Sequence, residues 1–178
     1  GYKLLESCGH ELTPRFPALV QLKTNPEYTR PLKGIKYSGD IDLIVNGQIR
    51  RTETGEILFT EYGLSDIPAM QLSGRLSRLR KGEKCTALVD LFPEWEHEAL
   101  FRNLKTRQKT QETLENLLLG TIHKRLAYAV LKSAGLQPLS RPAASLTPAE
   151  LHRLADTLTY ALEQAYVQPQ NFYGIGGM

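Results

Sequence analysis

The segment richest in chemistry runs Gly55-Glu56-Ile57-Leu58-Phe59-Thr60-Glu61-Tyr62-Gly63-Leu64-Ser65, with Pro68 shortly after it. An apolar strand passes through hydroxyl, aromatic and glycine residues into a capped helix start, with proline in the first turn. Amides left unpaired at such a helix start can hold an anion, for example a cofactor phosphate. Thr60, Tyr62, Gly63 and Ser65 are the residues that would touch it. The same residues also suit a bare strand-to-helix turn, in which Gly63 and Ser65 do no more than shape the backbone.

Other reactive constellations fall short. His10, His97, His123 and His152 lie apart, with neither i, i+4 nor His-Glu-x-x-His spacing, so a metal site is not expected. Glu94-Trp95-Glu96-His97-Glu98 is crowded with acids, but acids near a helix start answer its dipole. There is no Gly-x-Ser-x-Gly elbow, and neither Cys8 nor Cys85 stands beside a base. No Gly-x-Gly-x-x-Gly or Walker-type loop follows a strand. Gly174-Ile175-Gly176-Gly177 ends the sequence and opens no helix. No catalytic residue is therefore expected in this chain.

Composition narrows the class. With 178 residues, 41% hydrophobic and 23% charged, the chain suits one globular domain, or two small ones sharing a core. No apolar run approaches the roughly 20 residues of a membrane span. The two cysteines are too distant for a zinc ribbon and read as buried, reduced thiols of a cytoplasmic protein. The net charge of +3 draws on Arg75, Arg78, Arg80, Lys81 and Lys84. No aromatic residue interleaves with them, so they read as a solvated helix face, and nucleic acid is not an expected partner.

The elements follow from periodicity. Tyr2 to Cys8 reads as a helix tail stopped by Gly9. Strand chemistry begins near Phe16, with Pro17-Ala18-Leu19-Val20-Gln21-Leu22. Ile35, Tyr37, Ile41, Leu43 and Val45 alternate with mostly polar residues and predict a half-buried strand. Asn46-Gly47 predicts a hairpin, Gln48 to Glu53 the return strand, Thr54-Gly55 a second turn, and Glu56 to Thr60 a third strand. A helix is expected from Ile67 to Leu79, burying Met70, Leu72, Leu76 and Leu79 and ended by Lys81-Gly82; a strand follows over Thr86 to Leu91. After Pro93 the period is helical for about 70 residues, interrupted at Gly120 and Gly135. Thr147-Pro148-Ala149-Glu150 is a capping box whose helix carries Leu151, Leu154, Leu158, Ala161 and Leu162. Tyr166, Val167 and Pro169 turn extended again. The expected class is α+β: an antiparallel β-barrel-like subdomain with one inserted helix, plus a helical-bundle subdomain.

The Gly55–Ser65 segment with Pro68 resembles the signature of the aminoacetone-oxidase-like flavoproteins. These are bacterial FAD-dependent proteins of bile-acid-dehydroxylation type, or more broadly NAD(P)/FAD-dependent oxidoreductases. Gly1-Tyr2 with Gly9-His10 is similar to the family's helix ending before an insert, and Pro17 to Leu22 to its Pro-Ala-Leu-Val segment. The resemblance runs from Gly1 to about Ala165. It implies a Rossmann-type FAD domain flanking an insert, and it divides the chain into four parts. Residues 1–10 are the tail of a helix from the FAD domain, 11–92 the barrel-like subdomain, 93–164 the helical bundle, and 165–178 a strand returning toward the FAD domain. Gly176-Gly177 resembles the family's re-entry toward the flavin.

On that resemblance the chain is the insert, or substrate cap, of an FAD-dependent oxidoreductase and is inactive alone. FAD would be bound by the parent protein and not by this piece. NAD(P)H is a candidate co-substrate, and the FAD domain of the same parent chain is the partner. Two other readings stand beside it. One is a free-standing β-barrel module binding RNA or a protein; the other is an insert that only mediates dimer contacts.

Overall fold

The computed structural model describes residues 1–16, 18–79, 83, 85–159 and 161–166. In chain order the elements are α1 (Tyr2–Ser7), β1 (Leu22–Lys23), α2 (Pro26–Thr29), β2 (Lys36–Val45), β3 (Gln48–Phe59), β4 (Gly63–Ser65) and α3 (Ile67–Leu76). Then follow β5 (Cys85–Asp90), α4 (His97–Thr110), α5 (Lys124–Ser133), α6 (Pro148–Thr159) and β6 (Ala161–Tyr166), with short 3₁₀ turns between several of them. This is the α+β arrangement of the sequence reading: an antiparallel sheet with one helix inserted, then a set of packed helices.

The six strands are all antiparallel in the order β1-β4-β3-β2-β5-β6. β2 is the centre, and its alternation works as the sequence requires. Ile41, Leu43 and Val45 are buried, while Asp40, Asp42 and Ile44 are only half-buried. Asn46 and Gly47 make the hairpin turn with φ of 52° and 78°.

The second turn expected at Thr54-Gly55 does not form. β3 runs unbroken to Phe59, and Gly55 lies in register opposite Gly39 of β2. The local turn signal loses because Pro68 of α3 packs against the backbone there. A Cβ on Gly55 would sit 3.1 Å from the Pro68 Cγ, so the glycine serves packing and not reversal.

Three other boundaries move. The apolar run before Leu22 is not a strand beyond the two residues of β1; Leu19 is exposed with φ of 56°, and Val20 donates its N–H to Ser73 Oγ at 3.1 Å. Pro17 lies outside the described residues. α3 ends at Leu76, three residues early, leaving Met70 and Leu79 half-buried while Pro68, Ala69, Leu72 and Ser73 are buried with Leu76. Lys81-Gly82, expected to end it, lies outside the described residues, as do Arg80 and Lys84.

Nor do Ala161 and Leu162 extend the last helix. α6 stops at Thr159, whose hydroxyl turns back to the Ala155 and Asp156 carbonyls, and β6 begins at Ala161 on the edge of β5. Strand pairing overrides a helical apolar period that would fit either state. The Val167–Pro169 stretch and the Gly176-Gly177 re-entry lie outside the described residues.

Sheet and helices share one core that includes Ile41, Phe59, Leu72, Val89, Leu104 and Leu154. α6 shows why its helix forms. Glu150 accepts from the Thr147 N–H at 2.8 Å and returns the bond from its own N–H at 3.3 Å. Its face then buries Leu151, Leu154 and Leu158, each worth roughly 2 kcal/mol removed from water. Leu91 N–H donates to the Leu158 carbonyl at 3.1 Å and ties the helices to the end of β5. The chain thus has the hydrophobic core that an independently folding domain needs. Among the described residues no helix is long and apolar enough to cross a membrane.

Candidate functional site

Between β3 and α3 the chain makes a small stapled loop. Thr60 donates its N–H to the Gly63 carbonyl at 2.8 Å and its hydroxyl to the same oxygen at 3.0 Å. The Tyr62 carbonyl accepts from Thr24 N–H at 3.0 Å, so the loop is tied to β1. Gly63 allows this, because a Cβ there would fall on the Leu22 carbonyl. Ser65 is buried and paired with Leu58, whereas the Tyr62 ring is 61% exposed.

The helix start that follows already carries its own anion. Asp66 is the N-cap: its Oδ1 accepts from Ile67 N–H at 3.0 Å, and its Oδ2 lies 3.2 Å from Lys36 Nζ. The residue holds φ of 77°, a region that favours glycine, and the cap and the ion pair stabilise it there. With the Ile67 amide engaged and Pro68 lacking one, few donors remain for a phosphate. The four residues singled out by sequence therefore share one loop, but only Tyr62 presents its side chain outward.

A second feature was not legible as a site. Gly39 and Gly55, opposite each other, open a cleft of roughly 240 Å³ between the sheet and the loop Leu91–Trp95, with Ser38 and Thr54 beside them. A Cβ on Gly39 would fall on the Asp90 carbonyl, so β5 reaches this point only because position 39 lacks a side chain. The loop is fixed by two bonds: Tyr37 donates its hydroxyl to the Leu91 carbonyl at 2.8 Å, and Phe92 N–H donates to Asp90 Oδ1 at 2.7 Å. It presents Trp95, 44% exposed and edge-on to Phe92 with centroids 6.2 Å apart. The signals were there: Gly39 breaks the alternation of β2, and the single Trp follows Pro93.

Electrostatics bias this end of the sheet. Burial pushes the Asp90 carboxyl up, the Phe92 amide opposes it, and the neighbouring Asp40 and Asp42 push it further up. Burial, reinforced by Asp90, also raises the Tyr37 phenol. The cleft thus combines an aromatic wall with bare backbone, which suits a flat group held by its faces and edges. Among the described residues, no nucleophile paired with a base lines it.

Elsewhere the reactive residues are structural. His97 and His152 stack at 5.4 Å, His152 stacks on Phe101 at 3.9 Å, and His97 Nε2 lies 2.9 Å from Asp156 Oδ1, joining α4 to α6. Among the described residues no group of three His, Cys, Asp or Glu could hold a metal. Both cysteines are free, but Cys8 is exposed where burial was expected, because α1 packs nothing into the core. Cys85 is buried, and that burial pushes its thiol up to about 12.

Residues 16–170 match a family model described as "HI0933-like protein barrel and H2TH domain". The chain is 31% identical over 153 residues to the 3-dehydro-bile acid delta(4,6)-reductase of Clostridium scindens. That alignment covers 84% of this chain but 37% of the reductase, so the chain spans little more than a third of this curated relative.

Proposed function

Since the chain belongs to the HI0933-like family, of which it is the barrel and H2TH domain, we propose that it is the substrate-side cap of an FAD-dependent oxidoreductase. The observation that carries this reading is exposed apolar surface near the start of the chain. Tyr2, Leu4 and Leu5 of α1 are exposed, as are Phe16 and Leu19, and α1 buries no residue at all. Exposed apolar side chains mark an interaction surface when they are contiguous, and the FAD domain of the same parent chain is the partner that would cover these. Its match to one part of a longer reductase supports the same division of labour.

In this reading the flavin supplies the redox chemistry when bound, and this chain shapes and dries the site. Tyr62 and Trp95 are the aromatic faces it offers. Thr60 and Gly63 close the loop that carries Tyr62, Ser65 anchors its end in the sheet, and the whole Thr60–Ser65 loop faces the flavin domain or a nicotinamide. The isolated chain is inactive, NAD(P)H is the reductant, and the parent enzyme is a cytoplasmic bacterial protein. Residues 1–10 lead from the FAD domain, 11–92 and 93–164 form the cap's two halves, and 165–178 lead back.

Hydrogen exchange of the full-length gene product and of this chain tests the proposal. Amides of residues 2–8 should be protected in the full-length protein and exchange rapidly in the chain alone. Equal, rapid exchange in both would remove the FAD domain as the cover of α1. Nucleotide contact is tested by NADPH titration of the full-length protein. An affinity unchanged by Tyr62→Phe and Ser65→Ala takes the loop out of the nucleotide site.

A further inference from the structure

We infer that the cavity enclosed by α4, the turn of residues 118–121 and the loop of residues 92–95 binds a small, rigid carboxylate with an apolar body. At roughly 360 Å³ it is within the range of ligand pockets, about 300–1,000 Å³, which the 240 Å³ cleft on the sheet does not reach. Its floor is Leu100, Leu104 and Leu118, all buried, and the exposed face of Trp95 is at its rim. A lining that sets leucines and two aromatic rings beside polar groups favours a flat hydrocarbon body carrying one polar end.

Two polar groups of the lining, Arg107 and Thr121, suit an anion. Arg107 is the one charged residue among the described lining residues, and no acid accompanies it. Its Nη1 donates to the Leu117 and Leu119 carbonyls, both at 3.1 Å, which fixes the plane of the guanidinium. Among the described residues Nε and Nη2 make no hydrogen bond, leaving the donors that a carboxylate takes in pairs. Thr121 lines the same cavity, and its hydroxyl is buried without a partner among the described residues. A buried, unpartnered hydroxyl is destabilising, and a ligand oxygen or the water it displaces is the explanation the site offers.

This inference does not depend on the flavoprotein reading, because the lining residues it uses all belong to this chain. Isothermal titration of the chain with 2-naphthoate, its neutral isostere 2-naphthamide and the flexible octanoate tests it directly. One-to-one binding of 2-naphthoate is expected, with both analogues at least about tenfold weaker. Thr121→Val removes no hydrogen bond of the free protein and should weaken 2-naphthoate about fivefold to tenfold while leaving the fold intact. Trp95→Ala, at the rim, should weaken it similarly. Failure of 2-naphthoate to bind at millimolar concentration overturns the site. Equal binding of naphthoate and naphthamide overturns the role of Arg107, and naphthoate affinity unchanged in both variants places the ligand elsewhere on the chain.

Discussion

Replacing Gly39 by alanine should be a strongly damaging single-methyl addition at the centre of the sheet. The backbone of Gly39 is not in a region reserved for glycine, so the cost is one of space alone. The new methyl would overlap the Asp90 carbonyl oxygen, while the Asp90 carbonyl carbon at 3.5 Å and Leu91 Cα at 3.7 Å would be in ordinary contact with it. To relieve that contact the end of β5 must move off β2, opening the Asp40–Asp90 pair. The Tyr37 to Leu91 and Phe92 to Asp90 hydrogen bonds then stretch or break. Two hydrogen bonds at about 1 kcal/mol each, plus about 1 kcal/mol of residual strain, give a loss of about 3 kcal/mol. Gly47→Ala is the matched control. There φ is 78° and the space is open, so only backbone strain of about 1 kcal/mol applies. Urea unfolding of both variants, with m unchanged, measures the difference. Gly39→Ala no more destabilising than Gly47→Ala would refute the claim that β5 approaches β2 through a missing side chain.

Three further outcomes follow from the same structure. The Glu150 carboxyl is lowered to about 2, chiefly by the Thr147 amide and then by Arg141. A lowered folded-state value means stability present above the ordinary carboxylate range and lost as pH falls toward about 2. Glu150→Gln should therefore cost about 1 kcal/mol at neutral pH, and its stability curve should merge with that of the parent chain in acid; parallel curves would contradict the capping assignment. A thiol reagent at pH 8 should modify Cys8 at once and Cys85 only on unfolding, since a thiol raised to about 12 is roughly one part in ten thousand thiolate there; two fast thiols would mean that the Cys85 end of β5 opens. Leu4→Ser in the isolated chain should change stability by less than about 0.5 kcal/mol, because α1 packs into nothing. A larger loss, read by thermal unfolding, would show that α1 is part of this fold.

Local signals were legible where one residue type decides one conformation. Asn46-Gly47 turned the hairpin, the Thr147–Glu150 box started α6, and the alternation from Ile41 to Val45 named the buried face of β2. They misled where a distant contact decides. Gly55 looks like a turn until Pro68 is placed against it, and Ala161-Leu162 look helical until β5 offers an edge. The candidate site divides in the same way. The Thr60–Ser65 loop is contiguous in sequence and was found there. The Gly39–Gly55 cleft and the Arg107–Thr121 cavity each join elements far apart in the chain, so no local window contains them.

The most direct test of the cap reading compares the full-length gene product with a version in which a short linker replaces residues 11–164. Both should carry flavin, seen in the visible spectrum. After anaerobic reduction, the version without the cap should reoxidise in air at least about tenfold faster, because water and oxygen then reach the flavin freely. A full-length protein without flavin, or reoxidation at the same rate in both, would contradict the assignment of this chain as the cap of a flavoenzyme.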